Sequence, residues 1–339
     1  MARISRRQIV VIILILDFLI GCCVFMNRAF PRLALWNIIE SERKGDFYWR
    51  PQDAPEYFYF EKDMQALAAF REDIKTVTAE KNKDFDKVID IGRFINDICK
   101  EPGRPGKRIE WSSPQQILAQ VKLGVTGAHC FYRAILLSTY LSSIGIESRL
   151  WAFENERFNG TSHSVAEVYV KELNKWVLVD MSLGFYVKGN NGIPLSVLEF
   201  REKLLQGKDK DVTPIDIFGS ERQSKKTPAF YKKLMTCVFM RTGNDFTTKY
   251  GAKVRYGILS GFAAHLDKLP GISTRALDYV LGRRDFMLHY VDDFSKPLKK
   301  EIIFYRGIFY FFIVSLLFLG ITAGVFVLKI IFKKTIRHK

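Results

Sequence analysis

Two long apolar runs at the ends of the chain constrain it more than any other feature. Residues 8–26 read QIVVIILILDFLIGCCVFM, and residues 307–328 read GIFYFFIVSLLFLGITAGVFVL. Each is about long enough to cross a ~30 Å hydrocarbon layer as a helix. Neither has a polar face, so a half-buried core helix is a poor reading of either. Arg3, Arg6 and Arg7 precede the first run, and Lys329, Lys333, Lys334, Arg337 and Lys339 follow the second. The sequence therefore predicts transmembrane helices at 8–26 and 307–328. Short basic tails resist translocation, so residues 1–7 and 329–339 are expected in the cytoplasm and the central domain outside it, periplasmic or extracellular. Arg28, Arg32, Lys296, Lys299, Lys300 and Arg306 flank the inner ends and pull the other way. They weigh less, because a long domain translocates largely regardless of its charge.

Leu19-Ile20-Gly21-Cys22 after an Arg-rich start also resembles a bacterial lipoprotein signal, which would leave Cys22 lipidated. Asp17 interrupts that apolar region and a second span already anchors the chain, so a retained anchor is the preferred reading. Asp17 itself is open between a paired or functional carboxylate and a protonated or water-exposed one.

The spans explain most of the charge. The chain of 339 residues carries 52 Lys and Arg against 36 Asp and Glu, a formal +16, with 48% hydrophobic residues. Disorder needs low hydrophobicity beside high charge, which this is not. Residues 33–200 hold 21 basic against 23 acidic side chains, while 201–295 hold 17 against 11. The excess lies in the tails, the membrane flanks and the region after 200. It reads as a topology signal with a basic juxtamembrane region able to meet anionic lipid. No basic helix, RNP-type strand or zinc module supports nucleic-acid binding.

Between the spans, residues 27–60 show no sustained period and are expected to form a linker. Helical spacing appears over 61–80 (Met64, Leu67, Ala68, Ile74) and 85–98 (Val88, Ile91, Ile95, Ile98). Residues 101–107 (EPGRPGK) read as a loop. Ser113-Pro114 is an N-cap followed by Pro at the first helical position and starts a helix toward Lys122. Cys130–Ser143 is a helix with Gly145 as terminator. Residues 147–153, 163–170 and 176–180 are Val- and aromatic-rich strands, the last two joined as a hairpin around 172–175. A helix running into antiparallel strands is an α+β pattern. Residues 194–295 read as helix and loop, so the expected division is a domain at 61–200 and a mainly helical juxtamembrane region at 201–306.

Cys99, Cys130 and Cys237 lack metal-ligand spacing, so neither a metal nor a cofactor is expected. Cys99 and Cys237 read as buried or disulfide-bonded. Cys130 follows the turn Gly127-Ala128-His129 and begins a helix, where the dipole favours a thiolate. His163 begins the following hairpin and Asp180 ends it, so both can be delivered to the thiol. A cysteine at a helix start is more often a small buried hydrophobe, and a lone strand histidine is more often structural. The order of the three residues is what shifts the balance.

From about Pro114 to Leu183 these residues resemble the transglutaminase-like family of the papain-like cysteine enzymes, in its membrane-anchored bacterial form. The resemblance rests on the Gly-x-x-Cys turn, the helix after it, Gly145-Ile-Glu-Ser-Arg149, His163-Ser-Val-Ala-Glu167-Val-Tyr169 and Trp176-Val-Leu-Val-Asp180. It implies a Cys130–His163–Asp180 triad acting on an amide bond of a peptide or protein, with the acyl group passing to water or to an amine. Oxyanion support would come from the Cys130 N–H with Gln115, Gln116, Gln120 or Trp111. Glu167 shares a face with His163, to buttress the hairpin or contact substrate. Arg149 and Trp176 read as structural. The family often has Trp two residues after its histidine; here Val165 stands there, so the aromatic wall is missing or supplied elsewhere. The rival reading is a non-catalytic scaffold in an envelope polysaccharide synthesis or export assembly. Three minor features read blandly: His129 as exposed, His265 and His289 as solvated or packed, and Asn159-Gly160-Thr161 as a chance sequon.

Overall fold

The computed structural model describes residues 38–99, 113–124, 129–154, 162–219, 227–249 and 287–337. In chain order the elements are β1 (Ile39–Ser41), α1 (Ala68–Asp73), α2 (Lys75–Thr78), α3 (Asp84–Ile98), α4 (Pro114–Lys122), α5 (Cys130–Ser143), β2 (Ser148–Glu154), β3 (Ser162–Val170), β4 (Lys175–Asp180), β5 (Phe185–Gly189), α6 (Val197–Leu205), β6 (Val212–Asp216), α7 (Thr227–Leu234), β7 (Cys237–Arg241), α8 (Phe246–Lys249), β8 (Met287–Tyr290) and α9 (Lys296–Arg337). The strands form one mixed sheet ordered β1-β8-β7-β2-β3-β4-β5-β6. Only β1 and β8 run parallel among its pairings. The chain is thus an α+β protein.

The local devices are readable in the residues. Ser113 caps α4 in a capping box with Gln116, and Pro114 occupies the first turn. Helix α5 ends where the Gly145 N–H donates to Ser142 O and the Ile146 N–H to Leu141 O, with Gly145 at φ +73°. That is a Schellman ending, which needs a residue without Cβ cost in the left-handed region. Asn174 at φ 50° turns the β3–β4 hairpin after a short 3-10 turn.

The sheet is buried on both faces. Leu150, Ala166, Val168 and Val179 face α1, α3, α4 and α5, joining Phe70, Ile91, Ile117 and Leu137. Trp151, Phe153, Val165, Trp176 and Leu178 point the other way, toward Phe47, Trp49, Phe58, the α6 residues Phe200 and Leu204, and Tyr231 of α7. Burial on both faces is why these strands read as near-continuous apolar runs rather than alternating ones.

Several expectations change. The stretch before residue 61 is not a linker over its described part: it supplies edge strand β1 and buries Phe47, Trp49 and Phe58 in the core. The region after 200 contributes β6, β7 and β8, and β7 pairs directly with β2, so the sheet continues through the boundary expected at residue 200. Those strands are four or five residues each and too short to show a period. The helix expected over 61–80 is two short helices interrupted at Ile74.

Helix α9 begins against the sheet, where Leu298 and Ile302 pack with Ile38, Cys237 and Phe239. It runs antiparallel to β1: Lys299 pairs with Glu42 after that strand, and the Arg306 guanidinium donates to Ile38 O before it at 2.8 Å. The backbone then continues as one helix through 307–328. Among the described residues no helix is long and apolar enough to cross a membrane. Residues 1–37, and many side chains of α9 beyond Arg306, lie outside what is described.

Candidate active site

The three residues singled out by sequence meet at one end of the central strands. Cys130 is the first residue of α5, His163 the second of β3 and Asp180 the last of β4. Ala166 pairs with Val179 across the β3–β4 ladder, which sets Asp180 opposite Val165 and one side-chain position along from His163 on the same face. His163 Nε2 lies 2.8 Å from Asp180 Oδ2, and both side chains are buried. Cys130 arrives from the helical side, half-buried, and its thiol lies within electrostatic reach of the His163 ring and the Ser164 backbone. With Nε2 committed to Asp180, Nδ1 is the ring nitrogen left for the thiol.

Asp180 is saturated with donors. Oδ1 accepts the Ser182 and Leu183 N–H groups at 2.7 and 3.0 Å, from the turn that follows β4. Oδ2 accepts the Tyr231 hydroxyl at 2.6 Å beside the His163 ring. The turn depends on Gly184, whose N–H donates to Asp180 O and whose φ is +71°.

The electrostatics favour an ion pair. Burial pushes the Cys130 thiol up, but His163, with the Ser164 backbone, outweighs it and holds the thiol below its usual range. Burial also works against a charged imidazole, yet Asp180 and then Cys130 raise His163 to about 10. Asp180 is held below the usual carboxylate range: burial opposes this, and His163, Tyr231 and Leu183 overcome it. A thiol with a lowered pKa beside an imidazole with a raised one, at a helix N-terminus, is an arrangement that can carry a nucleophile and its acid.

Helix α5 has no side-chain cap at His129, and the N–H of a helix's first residue has no intrahelical acceptor, so the Cys130 N–H is the first candidate donor to an oxyanion. Of the other donors considered, Gln116 is exposed and committed to the α4 capping box, and Gln115 is exposed and donates to Ala66 O at 3.3 Å. Gln120 is half-buried in the last turn of α4, and Trp111 lies outside the described residues.

Glu167 is a buttress. It is fully buried, accepts from Arg149 Nε and Trp151 Nε1 at 2.6 and 2.7 Å, and takes the Val197 N–H at 2.7 Å. No part of it is open to a substrate. Val165 is likewise fully buried and forms no wall. Phe230 of α7 stands there instead, edge-on to His163 at 5.6 Å and 39% exposed.

Sequence reading missed Tyr231 and Phe230. The segment TPAFYKKL is an ordinary short amphipathic helix, and no spacing tells that it returns to a carboxylate 51 residues earlier. Cys99 and Cys237 are buried and form no disulfide among the described residues, so the disulfide alternative is set aside. His129 is exposed beside Tyr132. His289 is buried against Phe239, while His265 and the 159–161 sequon lie outside the described residues. No cluster suited to a metal ion occurs among the described residues.

The class defined so far is an α+β protein with a thiol, an imidazole and a carboxylate in series at one end of its sheet. No family model, curated protein or solved structure matches the chain.

Proposed function

We propose that this is a membrane-anchored thiol enzyme of the transglutaminase-like kind, acting on amide bonds of a peptide or protein at a bacterial cell envelope. The observation that carries the reading is the buried 2.8 Å His163–Asp180 contact with the Cys130 thiol, first residue of its helix, within electrostatic reach of the same ring. The Cys130 thiolate attacks the carbonyl carbon, and the Cys130 N–H receives the developing oxyanion. His163 passes its proton to the leaving amine, and Asp180 keeps the ring in the orientation that presents Nδ1 to the sulfur. The thioester then passes to water or to an amine, with His163 as the base.

Anchoring is supported by α9. Phe311, Val314, Phe318, Ile321 and Val325 of α9 are exposed, large apolar side chains that water does not favour and lipid does. The apolar run of 22 residues read from the sequence at 307–328 would reach ~33 Å as a helix, about the thickness of the hydrocarbon layer. Basic tails place both termini in the cytoplasm in this reading, with the sheet outside it.

The test is iodoacetamide labelling of the full chain in detergent, mapped by mass spectrometry. Cys130 should be alkylated at least about tenfold faster than buried Cys99 or Cys237, and Cys130→Ala should abolish turnover of a glutamine-containing peptide. Turnover that persists in Cys130→Ala would discard the reading. A Cys130 that labels no faster than the other two would leave the scaffold alternative in its place.

A further inference from the structure

The carboxylate behind His163 holds one bond more than its orientation requires. Oδ1 is fixed by two backbone N–H groups, and Oδ2 is fixed by the ring it serves. The Tyr231 hydroxyl nonetheless donates to that same Oδ2 at 2.6 Å. Tyr231 is fully buried, and its ring is packed by Phe153, Phe185, Phe200 and Phe230. A phenylalanine would fill this space equally well. What the hydroxyl adds is a charge-assisted bond that draws electron density from the oxygen facing the imidazole.

The chemistry supplies a reason for that. An imidazolium backed by an undivided carboxylate keeps its proton, and an amide is cleaved only if the leaving nitrogen receives one. We propose that Tyr231 is a positioning residue of this reaction, sharing Asp180 Oδ2 with His163 so that the imidazolium can release its proton to the leaving group. The proposal rests on the thiol-enzyme reading. In the step concerned, the Cys130 sulfur forms a bond to the acyl carbon, and the bond from that carbon to the leaving nitrogen or oxygen breaks. The electron pair goes to the leaving atom, and the proton moves to it from His163 Nδ1. A poor leaving group needs that proton, whereas a nitrophenolate does not.

The leaving group therefore separates this role from simple support. The probes are substituted phenyl acetates, from 4-nitrophenyl acetate to phenyl acetate, with acetyl-Cys130 followed by mass spectrometry on the full chain in detergent. In Tyr231→Phe, acetylation by phenyl acetate should fall about tenfold and acetylation by 4-nitrophenyl acetate far less. The basic limb of acetylation by phenyl acetate, where the imidazolium loses its proton, should move to higher pH, because the imidazolium is held more tightly. In an Asp180→Asn background, adding Tyr231→Phe should leave the dependence on leaving group unchanged, since the tyrosine acts through that carboxylate.

An equal loss for every ester, a downward shift of the basic limb, or an effect that survives in the Asp180→Asn background would overturn the proposal in favour of packing alone. A wild-type profile with no change in Tyr231→Phe would overturn it and leave the thiol enzyme standing. A wild-type Cys130 that neither acetylates nor alkylates would remove both.

Discussion

The Arg149 guanidinium and the Glu167 carboxylate meet at 2.6 Å where water does not reach, among the rings of Trp49, Trp151 and Trp176. The closest ring, Trp176, lies 4.3 Å from the guanidinium carbon. Glu167 also holds the Trp151 indole N–H and the first N–H of α6, so one carboxylate ties β2, β3 and α6 together behind the triad.

Removing one charge of this pair leaves the other buried and uncompensated. Arg149→Met should cost about 3 to 5 kcal/mol, read from urea unfolding of the full chain in detergent. An unfolding midpoint equal to that of the wild type would show that the pair is not needed for the fold.

The turn that aims Asp180 has no room for a side chain at Gly184. A Cβ there would stand 2.1 Å from the Phe218 ring, on a backbone at φ +71°. Gly184→Ala should cost about 2 to 4 kcal/mol and slow Cys130 alkylation at pH 7, since the Ser182 and Leu183 N–H groups would shift off Asp180. The paired readout is thermal unfolding and mass-resolved labelling. Normal labelling in a folded variant would detach the turn from the site.

Thiolate formation should be visible in the pH profile of alkylation. His163 outweighs burial at Cys130, so the midpoint should lie below the ~8.5 of an ordinary cysteine. In His163→Asn burial is opposed only by the Ser164 backbone, and the midpoint should move up from its wild-type position. A profile unchanged by the substitution would mean that His163 does not ionise the thiol.

His289 should make the protein acid-sensitive. Burial first, with Arg201 adding to it against the Val238 and Asp292 contributions, lowers its pKa from 6.5 to about 4. The unfolded chain therefore binds the proton more readily. The contribution is full above pH ~6.5 and is lost as pH falls toward ~4, a change of about 3 kcal/mol. His163 is raised to about 10 and has the opposite sign, present below pH ~6.5 and lost as pH rises through ~10. Unfolding free energies of the wild type and His289→Gln, compared at pH 7 and pH 4.5, should show the acid loss in the wild type alone.

What the sequence made legible was local. The Ser113 cap, the Gly145 terminator and the Val-rich strands each announce themselves within a few residues, and so do Cys130, His163 and Asp180 at element ends. What it concealed was pairing at long range. β1 joins β8 across some 250 residues, and its three residues carry no period that would separate a strand from a linker. Tyr231 was invisible for the same reason, because an aromatic on a short helix names no partner. Glu167 was visible as a face-mate of His163, but not as the ligand of a buried arginine, because that required knowing both faces of the sheet were covered.

Helix α9 has a mechanical meaning. Its first turns are wedged against Ile38, Cys237 and Phe239, and the same unbroken rod continues into the apolar stretch, with Arg306 latched to Ile38 where the chain first enters the sheet. There is no joint between the two. A tilt or twist imposed on the rod is carried to the edge of the sheet rather than absorbed by a linker, so the sheet sits less like a bead on a string than like a tool fixed to its handle.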